Sequence, residues 1–490
     1  MFHLNTVVVD SNSENKELEE QFLSNRSRTQ ILINSASIID EADDQILPAI
    51  YLPLQQRLGF SLVQLGAITA VGSLLQSVST PIWGWLSDTQ SRKTILSLGC
   101  FLWGLFTFLL GTSDTYVNML FFRAMTGIGL AVIIPTAQSL ITDYFFEEER
   151  GIAFGWLGLT AVIGAIVGTL FATAIGSDIY FGIDGWRLVF FAISTFSIFI
   201  ALINFKYGID PVRGNAENEL HNVINPRTEH FFSISKTDFI KILSNRTYIL
   251  IVAQGIAGSL SFASLVFAIT WFEWVGFPSI IAGIIFAVVA IGAALGNLFG
   301  GWIGDKASKW DYDKGRIIIS QISVFSGIPL MITFFWILPH DNSILTISLF
   351  ILVGSFTGFT ISWSASATNY PIFSEIFEPE IRGSAYAIDN LLEGSIAASG
   401  TLIVSFLADN IFGYIPATGK SLIDLSKLSY TIRENNINAL ANALVISTVI
   451  PWLICLFIYF FVYSSYPRDR DKIKNIIKER SNLLKNGILH

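Results

Sequence analysis

Ten uncharged, largely apolar runs constrain this 490-residue chain more than any other feature. They cover 58–87, 94–113, 124–142, 151–177, 188–205, 247–272, 274–304, 317–339, 342–374 and 435–467. About 20 apolar residues cross the hydrocarbon core of a bilayer as a helix. Only helices and closed barrels satisfy their backbone in lipid, and a barrel would read as short alternating segments. These runs are too long for that. The chain therefore reads as a multi-span helical membrane protein. Composition agrees, with 14% charged residues where soluble domains carry about 25%.

Two further segments are long and apolar enough to span but contain acid. One is Ile31–Leu54, with Asp40, Glu41, Asp43 and Asp44; the other is Gly383–Ala408, with Asp389 and Glu393. Counting both gives twelve spans, which puts both termini on one side. Of the 30 Lys and Arg, 24 fall in the tails and in the loops on that side. The opposite loops hold Arg57, Arg187, Lys420, Lys427 and Arg433, and Arg123 lies inside a span. Basic residues accumulate on the cytoplasmic side, so both termini are expected in the cytoplasm.

The net charge of −8 resides mostly in tails and loops and does not point to nucleic acid. Residues 1–30 are polar and acidic, and read as a disordered tail without a cleavable signal peptide. Cys100 and Cys455 fall in predicted spans and suit neither a disulfide nor a metal site. The five His lie outside every span, which argues against a His proton relay. No nucleotide loop, metal cluster or nucleophile constellation is visible. No enzyme activity, cofactor or metal is expected.

The expected order is a tail (1–30), a six-helix bundle (31–205), a polar linker (206–246), a second six-helix bundle (247–466) and a basic tail (467–490). The halves repeat. GWLSDTQSRK (Gly84–Lys93) follows the second span, and GWIGDKASKWDYDKGR (Gly301–Arg316) follows the eighth. ERGIA (Glu149–Ala153) follows the fourth, and IRGSA (Ile381–Ala385) follows the tenth. Parallel repeats about an axis along the membrane normal mark a transporter, with its substrate site between them.

On these residues the chain resembles the major facilitator superfamily across 31–466. GWLSDTQSRK is similar to that superfamily's signature between spans two and three. RAMTGIG (Arg123–Gly129) is similar to its fourth-span Arg-x-x-x-Gly-x-Gly pattern. The fifth-span stretch GLTAVIGAIVG (Gly158–Gly168) keeps glycines but lacks the Pro found in antiporters. DEADDQILP, the loop Ser91-Arg92-Lys93, RAMTGIGLA and SLITDYF (Ser139–Phe145) resemble the Spinster-like branch, which moves lysophospholipids and sphingolipids. Leu130 stands where that branch often has an acid. Plant-type relatives with an LPAIY-like first span are similar too. The resemblance implies an all-α membrane protein of twelve transmembrane helices in two pseudo-symmetric bundles.

Asp40 and Asp44 are one helical turn apart, and Asp43 lies near the same face. Counting about 1.5 Å per residue puts Asp44 roughly 20 Å in from one side and Arg123 roughly 12 Å in from the other. In a core about 30 Å thick these depths nearly coincide, so acid and Arg can neutralise one another. The resemblance favours Asp40 as the partner, since spans one and four line the central cavity in this superfamily. The bland alternative leaves Ile31–Leu54 partly outside the membrane with solvated acids. Arg123, whose guanidinium suits phosphate or carboxylate, is either a substrate anchor or one half of a permanent structural pair, and both roles can coexist. Glu41 is expected to be solvated and Glu273 interfacial. Asp389 and Glu393 are i,i+4 on span eleven, with Glu393 the favoured proton carrier and Asp389 near the wet end.

Asp88, Arg92, Asp143 and Arg150 in one half, and Asp305, Glu375 and Arg382 in the other, read as gate networks. Gly84 and Gly301 are expected to allow close helix approach. The alternative is ordinary positive-inside charge, which repetition in both halves makes weaker.

The expected function is a secondary active transporter working by alternating access on a lysolipid or other amphiphilic organic anion, with proton coupling. Sugars or small polar organic ions are the second cargo class. A non-transporting sensor on the same fold is the rival of another kind. The expected partners are that substrate and the lipid bilayer, and the expected state is a monomer. ERSNLL (Glu479–Leu484) resembles an acidic dileucine sorting signal, and both an endolysosomal and a plasma-membrane address stay open.

Overall fold

A computed structural model describes residues 11–145, 147–211, 236–416 and 430–485. Within them, eleven helical segments are long and apolar enough to cross a membrane. The acid-bearing first segment supplies the twelfth. It is built from α1 (Ser11–Ala49) and α2 (Tyr51–Leu58), broken where Pro48 removes a helix donor and stopped by Gly59 in the left-handed conformation. Spans two and three are α3 (Leu62–Thr89) and α4 (Arg92–Gly111). Span four is α5 (Tyr116–Leu130) with α6 (Ile133–Tyr144). Spans five and six are α7 (Glu147–Ile175) and α8 (Gly185–Tyr207), joined through a two-residue-strand hairpin. A short helix, α9 (Lys236–Ser244), precedes span seven, which is α10 (Arg246–Ser264) and α11 (Ala268–Val275). Then come α12 (Ser279–Trp310), α13 (Gly315–Ile332), α14 (Ile344–Ile361) with α15 (Tyr370–Ile376), α16 (Pro379–Ala397) with α17 (Ser399–Phe406), and α18 (Tyr430–Lys485).

Local chemistry sets these limits. Ser61 and Gln64 form a reciprocal capping box on α3, and Ser91, Thr115, Asn245 and Ser343 cap α4, α5, α10 and α14. Large apolar side chains such as Phe199, Leu298 and Phe457 remain exposed around the bundle. In water such surfaces would be a liability; in a bilayer they are the solvent-facing side.

In the first half α1 packs on α7 and α8, α4 on α8 and α5, and α3 on α5. In the second half α12 packs on α14, and α10 and α13 pack on α18. The halves meet where α3 touches α16 and α17, and where α12 touches α7. Spans two and five are thus matched against eleven and eight, as pseudo-two-fold symmetry requires. At the end remote from the termini, hydrogen bonds cross this seam. The Val63 amide donates to Asp409 (3.0 Å), Thr401 to the Gly66 carbonyl (2.9 Å) and Tyr414 to Gln55 (2.7 Å).

Two expectations are corrected here. The disordered tail gives way to helix from Ser11, because no Gly or Pro interrupts residues 11–47 and Glu, Lys, Leu and Gln favour helix. The polar linker 206–246 contains α9, and residues 212–235 lie outside the described residues. Gly84 and Gly301 are not the close contacts. A Cβ on Gly84 would meet only Pro135 at 3.8 Å, and one on Gly301 would meet Ser366 at 3.7 Å. The tight approaches are elsewhere, as at Gly127, where a Cβ would lie 2.2 Å from the Gly72 carbonyl oxygen. α18 continues through the start of the basic tail as helix to Lys485.

Candidate functional site

In the first span α1 presents Asp43 and Asp44 toward span four. Arg123, on α5, is 2% exposed. Its Nη1 donates to Asp43 at 2.8 Å and its Nη2 to Asp44 at 3.0 Å. The two carboxylates differ. Asp43 is sealed, at 1% exposure of its side chain, and also receives a long hydrogen bond from Thr107 (3.4 Å). Asp44 keeps 31% of its side chain exposed. One arm of the guanidinium is therefore locked and the other is held by a carboxylate that water or a solute can reach.

The partner of Arg123 is thus not Asp40, which the family resemblance favoured. Asp40 lies about 4–6 Å farther toward the terminal end of the helix. It is buried, and its Oδ1 has no hydrogen-bond partner among the described residues. Glu41 is half-buried rather than solvated. Two sets of glycines make the arrangement fit. Gly72 leaves room for the guanidinium, since a Cβ there would lie 2.7 Å from Arg123 Nε. Gly164 and Gly168 let span five touch the backbone of span one at Ile38 and Ala42. The glycine-rich fifth span, unexplained by its missing Pro, serves to position the acidic helix.

The second half holds its own acids. Asp389 is buried rather than wet, with Oδ1 unpartnered among the described residues. Glu393, one turn on, accepts from Ser259 (3.2 Å) and projects over Gly255, whose lack of a Cβ gives its Oε1 room. Beside them Gln254 donates to Asn369 (2.9 Å) and accepts from Cys455 (3.2 Å). Three polar side chains scattered in sequence thereby share one place. Glu273 also departs from expectation. It is buried and accepts from Ser279 (2.6 Å), because α11 is packed on all sides instead of lying at the interface.

At the terminal end the charged loops pair within each half. Arg92, at the start of span three, forms an ion pair with Asp143 at the end of span four. Arg316, at the start of span nine, pairs with Asp305 (2.8 Å) and with Glu375 at the end of span ten (3.6 Å). Arg316 repeats Arg92, and it closes the very loop GWIGDKASKWDYDKGR that shows the repeat. The sequence reading followed Arg382 instead, which donates to the Phe377 carbonyl at the end of α15. The side chains of Asp88 and Arg150 lie outside the described residues. Arg92→Ala and Arg316→Ala are each expected to slow the function of the protein roughly ten- to a hundredfold, since one hydrogen bond to a charged group is worth about 1.5–3 kcal/mol. Membrane insertion should persist. Unchanged activity in both variants would remove the gate assignment.

The sequence matches the family model described as Major Facilitator Superfamily over residues 34–401. A probable L-galactonate transporter of Escherichia coli K12 is 28% identical over 177 residues, 36% of this chain and 38% of that protein. The chain thus spans less than two-fifths of that relative's length. A D-galactonate transporter of Escherichia coli O6:H1 is 23% identical over 411 residues, covering 80% of this chain and 91% of its own. Among solved structures, a bacterial homolog to the human lysosomal transporter Spinster, inward-facing and unoccupied, aligns with a TM-score of 0.76. It shares 18% identity, with 91% of this chain and 98% of that chain covered. That likeness is one of fold.

Proposed function

The chain belongs to the Major Facilitator Superfamily, and on that premise we propose that it is a secondary transporter that carries an organic anion by alternating access. The observation that carries this reading is the asymmetric clamp on Arg123, locked by buried Asp43 and held by reachable Asp44. A guanidinium offers paired donors that match a carboxylate or phosphate, and it stays charged at any working pH. An incoming anion competes with Asp44 for Nη2 while Nη1 stays anchored.

Asp40, Asp43 and Asp44 outnumber the one guanidinium. Proton uptake by this cluster frees Arg123 for the substrate and removes excess charge from a low-dielectric place. Asp389 and Glu393 offer a second site for a transported proton. The intra-half gate pairs and the hydrogen-bonded remote seam support a conformation closed at the remote end. With both termini cytoplasmic, that is the inward-facing state, and the gate pairs must rearrange when the terminal end closes.

The first substrate reading is a lysolipid-like amphiphilic anion, favoured by the stretches that resemble the Spinster-like branch. Small sugar acids form a second substrate reading, favoured by the similarity to two galactonate transporters. The test is counterflow into proteoliposomes of purified protein, run with radiolabelled lysophosphatidylglycerol and with galactonate, at pH 5.5 and 7.5. Saturable uptake of one of them, faster at the lower pH on the loading side, is the expected result. Uptake that ignores pH would overturn the coupling, and uptake of neither, nor of any other organic anion, would favour a sensor.

A further inference from the structure

The linker helix α9 exposes a row of large apolar side chains. Phe239 is 45% exposed, Ile240 62% and Leu243 39%. At 100° per residue these three occupy one arc about 100° wide. Ile242, at the edge of that arc, is fully buried and fixes the helix to the bundle. The exposed arc therefore faces away from the protein by construction and does not result from a loose helix. Lys236 and Lys241 lie on α9, and Arg246 opens α10 one residue beyond it; Lys241 and Arg246 are exposed.

Position says what covers the arc. One residue, Asn245, separates α9 from α10, and its side chain caps α10 by accepting from the Tyr248 amide (2.9 Å). The start of α10 is pinned again by Asp469 of α18, which accepts from the Thr247 amide and hydroxyl at 3.1 and 2.7 Å. Thus α9 sits at the level where span seven enters the bilayer. Its apolar arc continues the lipid-facing surface that begins at Ile249 on α10. A short helix with large apolar residues on one face and Lys and Arg around it lies in the plane of a membrane interface, and anionic lipid strengthens its hold. The helix packs on α16 as well as on α10. Those two helices carry the Asp389–Glu393 and Ser259 cluster.

We propose that α9 is a strap anchored in the leaflet on the terminal side, held by anionic lipid headgroups, and that this anchorage biases the position of span eleven. A membrane richer in anionic lipid then shifts the balance between the two access states of the transporter. The regulatory part rests on the alternating-access reading, whereas the anchorage does not.

Two measurements on the full chain in vesicles separate these parts. A fluorophore on Ile240→Cys is compared with one on exposed Lys309→Cys, in phosphatidylcholine with and without phosphatidylglycerol. The Ile240 probe should be quenched by lipids carrying a shallow nitroxide and shielded from aqueous iodide, with the contrast larger when phosphatidylglycerol is present. Iodide quenching equal to that at Lys309 would overturn the anchorage. Shielding from both quenchers would also overturn it, since the arc would then be covered by protein. In the second measurement, spin labels on Thr94→Cys and Lys309→Cys report the distance between the halves. Adding phosphatidylglycerol should redistribute these distances, and Phe239→Gln/Ile240→Gln/Leu243→Gln, whose sites face outward, should abolish the response. A response that survives in the triple variant would overturn the bias on span eleven even where the anchorage stands.

Discussion

Arg123→Ala is expected to abolish transport, and Asp43→Asn to cost nearly as much. The reason lies in what each leaves behind. Removing the guanidinium strands a sealed carboxylate at Asp43, and removing Asp43 leaves the buried guanidinium with the part-exposed Asp44 as its one remaining carboxylate among the described residues. Breaking a buried pair from one side costs about 3–5 kcal/mol, and a single charge at mid-membrane about 2.5–3.5 kcal/mol on insertion scales. The double variant Arg123→Ala/Asp43→Asn removes both charges together. Its protein should be more stable than either single variant, with a coupling of roughly 0.5–3 kcal/mol in thermal or denaturant stability. Transport should remain lost, because the anion anchor is gone. Asp44→Asn is the informative contrast. It keeps the locked arm and spares folding, so stability should change little while the pH dependence of transport flattens. Additive stability losses for Arg123 and Asp43 would mean that the pair is not a unit. An Asp44→Asn variant with unchanged pH dependence would remove the proton from the clamp.

Much of this was legible in the chain. Ten uncharged runs define spans by length alone, and two acid-bearing runs complete the twelve, because a charge in a span usually faces a cavity. Matching depths along helices one and four bring acid to Arg123 before any coordinates. The particular partner was not legible. Choosing among Asp40, Asp43 and Asp44 needs the rotation of α1 against α5, and sequence spacing fixes that only to within a helical face. The C-terminal half was harder. Gln254, Asn369 and Cys455 are separated by up to 201 residues and look scattered until spans seven, ten and twelve pack together. Arg316 was visible as a repeat of Arg92, but a second candidate, Arg382, stood in the better-known loop position. The glycines misled most. Gly84 and Gly301 carry the repeat motif yet have space around them, whereas backbones come together at Gly127, Gly164 and Gly168, whose packing role spacing alone does not reveal.

Gly168→Val should therefore be more damaging than Gly84→Val, although Gly84 belongs to the recognisable motif. A Cβ at Gly168 would lie 2.4 Å from the Ala42 carbonyl oxygen, and one at Gly164 would lie 2.2 Å from that of Ile38. Real Cβ atoms do not approach backbone this closely, and backbone inside a packed helix cannot step aside as a flexible side chain can. Span one must then move away from span five. Overpacking of this kind costs about 1–3 kcal/mol even where the core relaxes. Here the displaced segment carries Asp40, Asp43 and Asp44, so the Arg123 clamp opens with it. The expected result for Gly168→Val is a clear loss of thermal stability in detergent together with loss of transport. Gly84→Val, whose Cβ meets only Pro135 at an ordinary distance, should retain most of its stability. Small residues at helix contacts matter in membranes because packing, rather than expulsion of water, holds helices together there. Equal stability of the two variants would show that spans one and five do not approach as closely as the geometry requires, and the positioning of the acidic helix would need another cause.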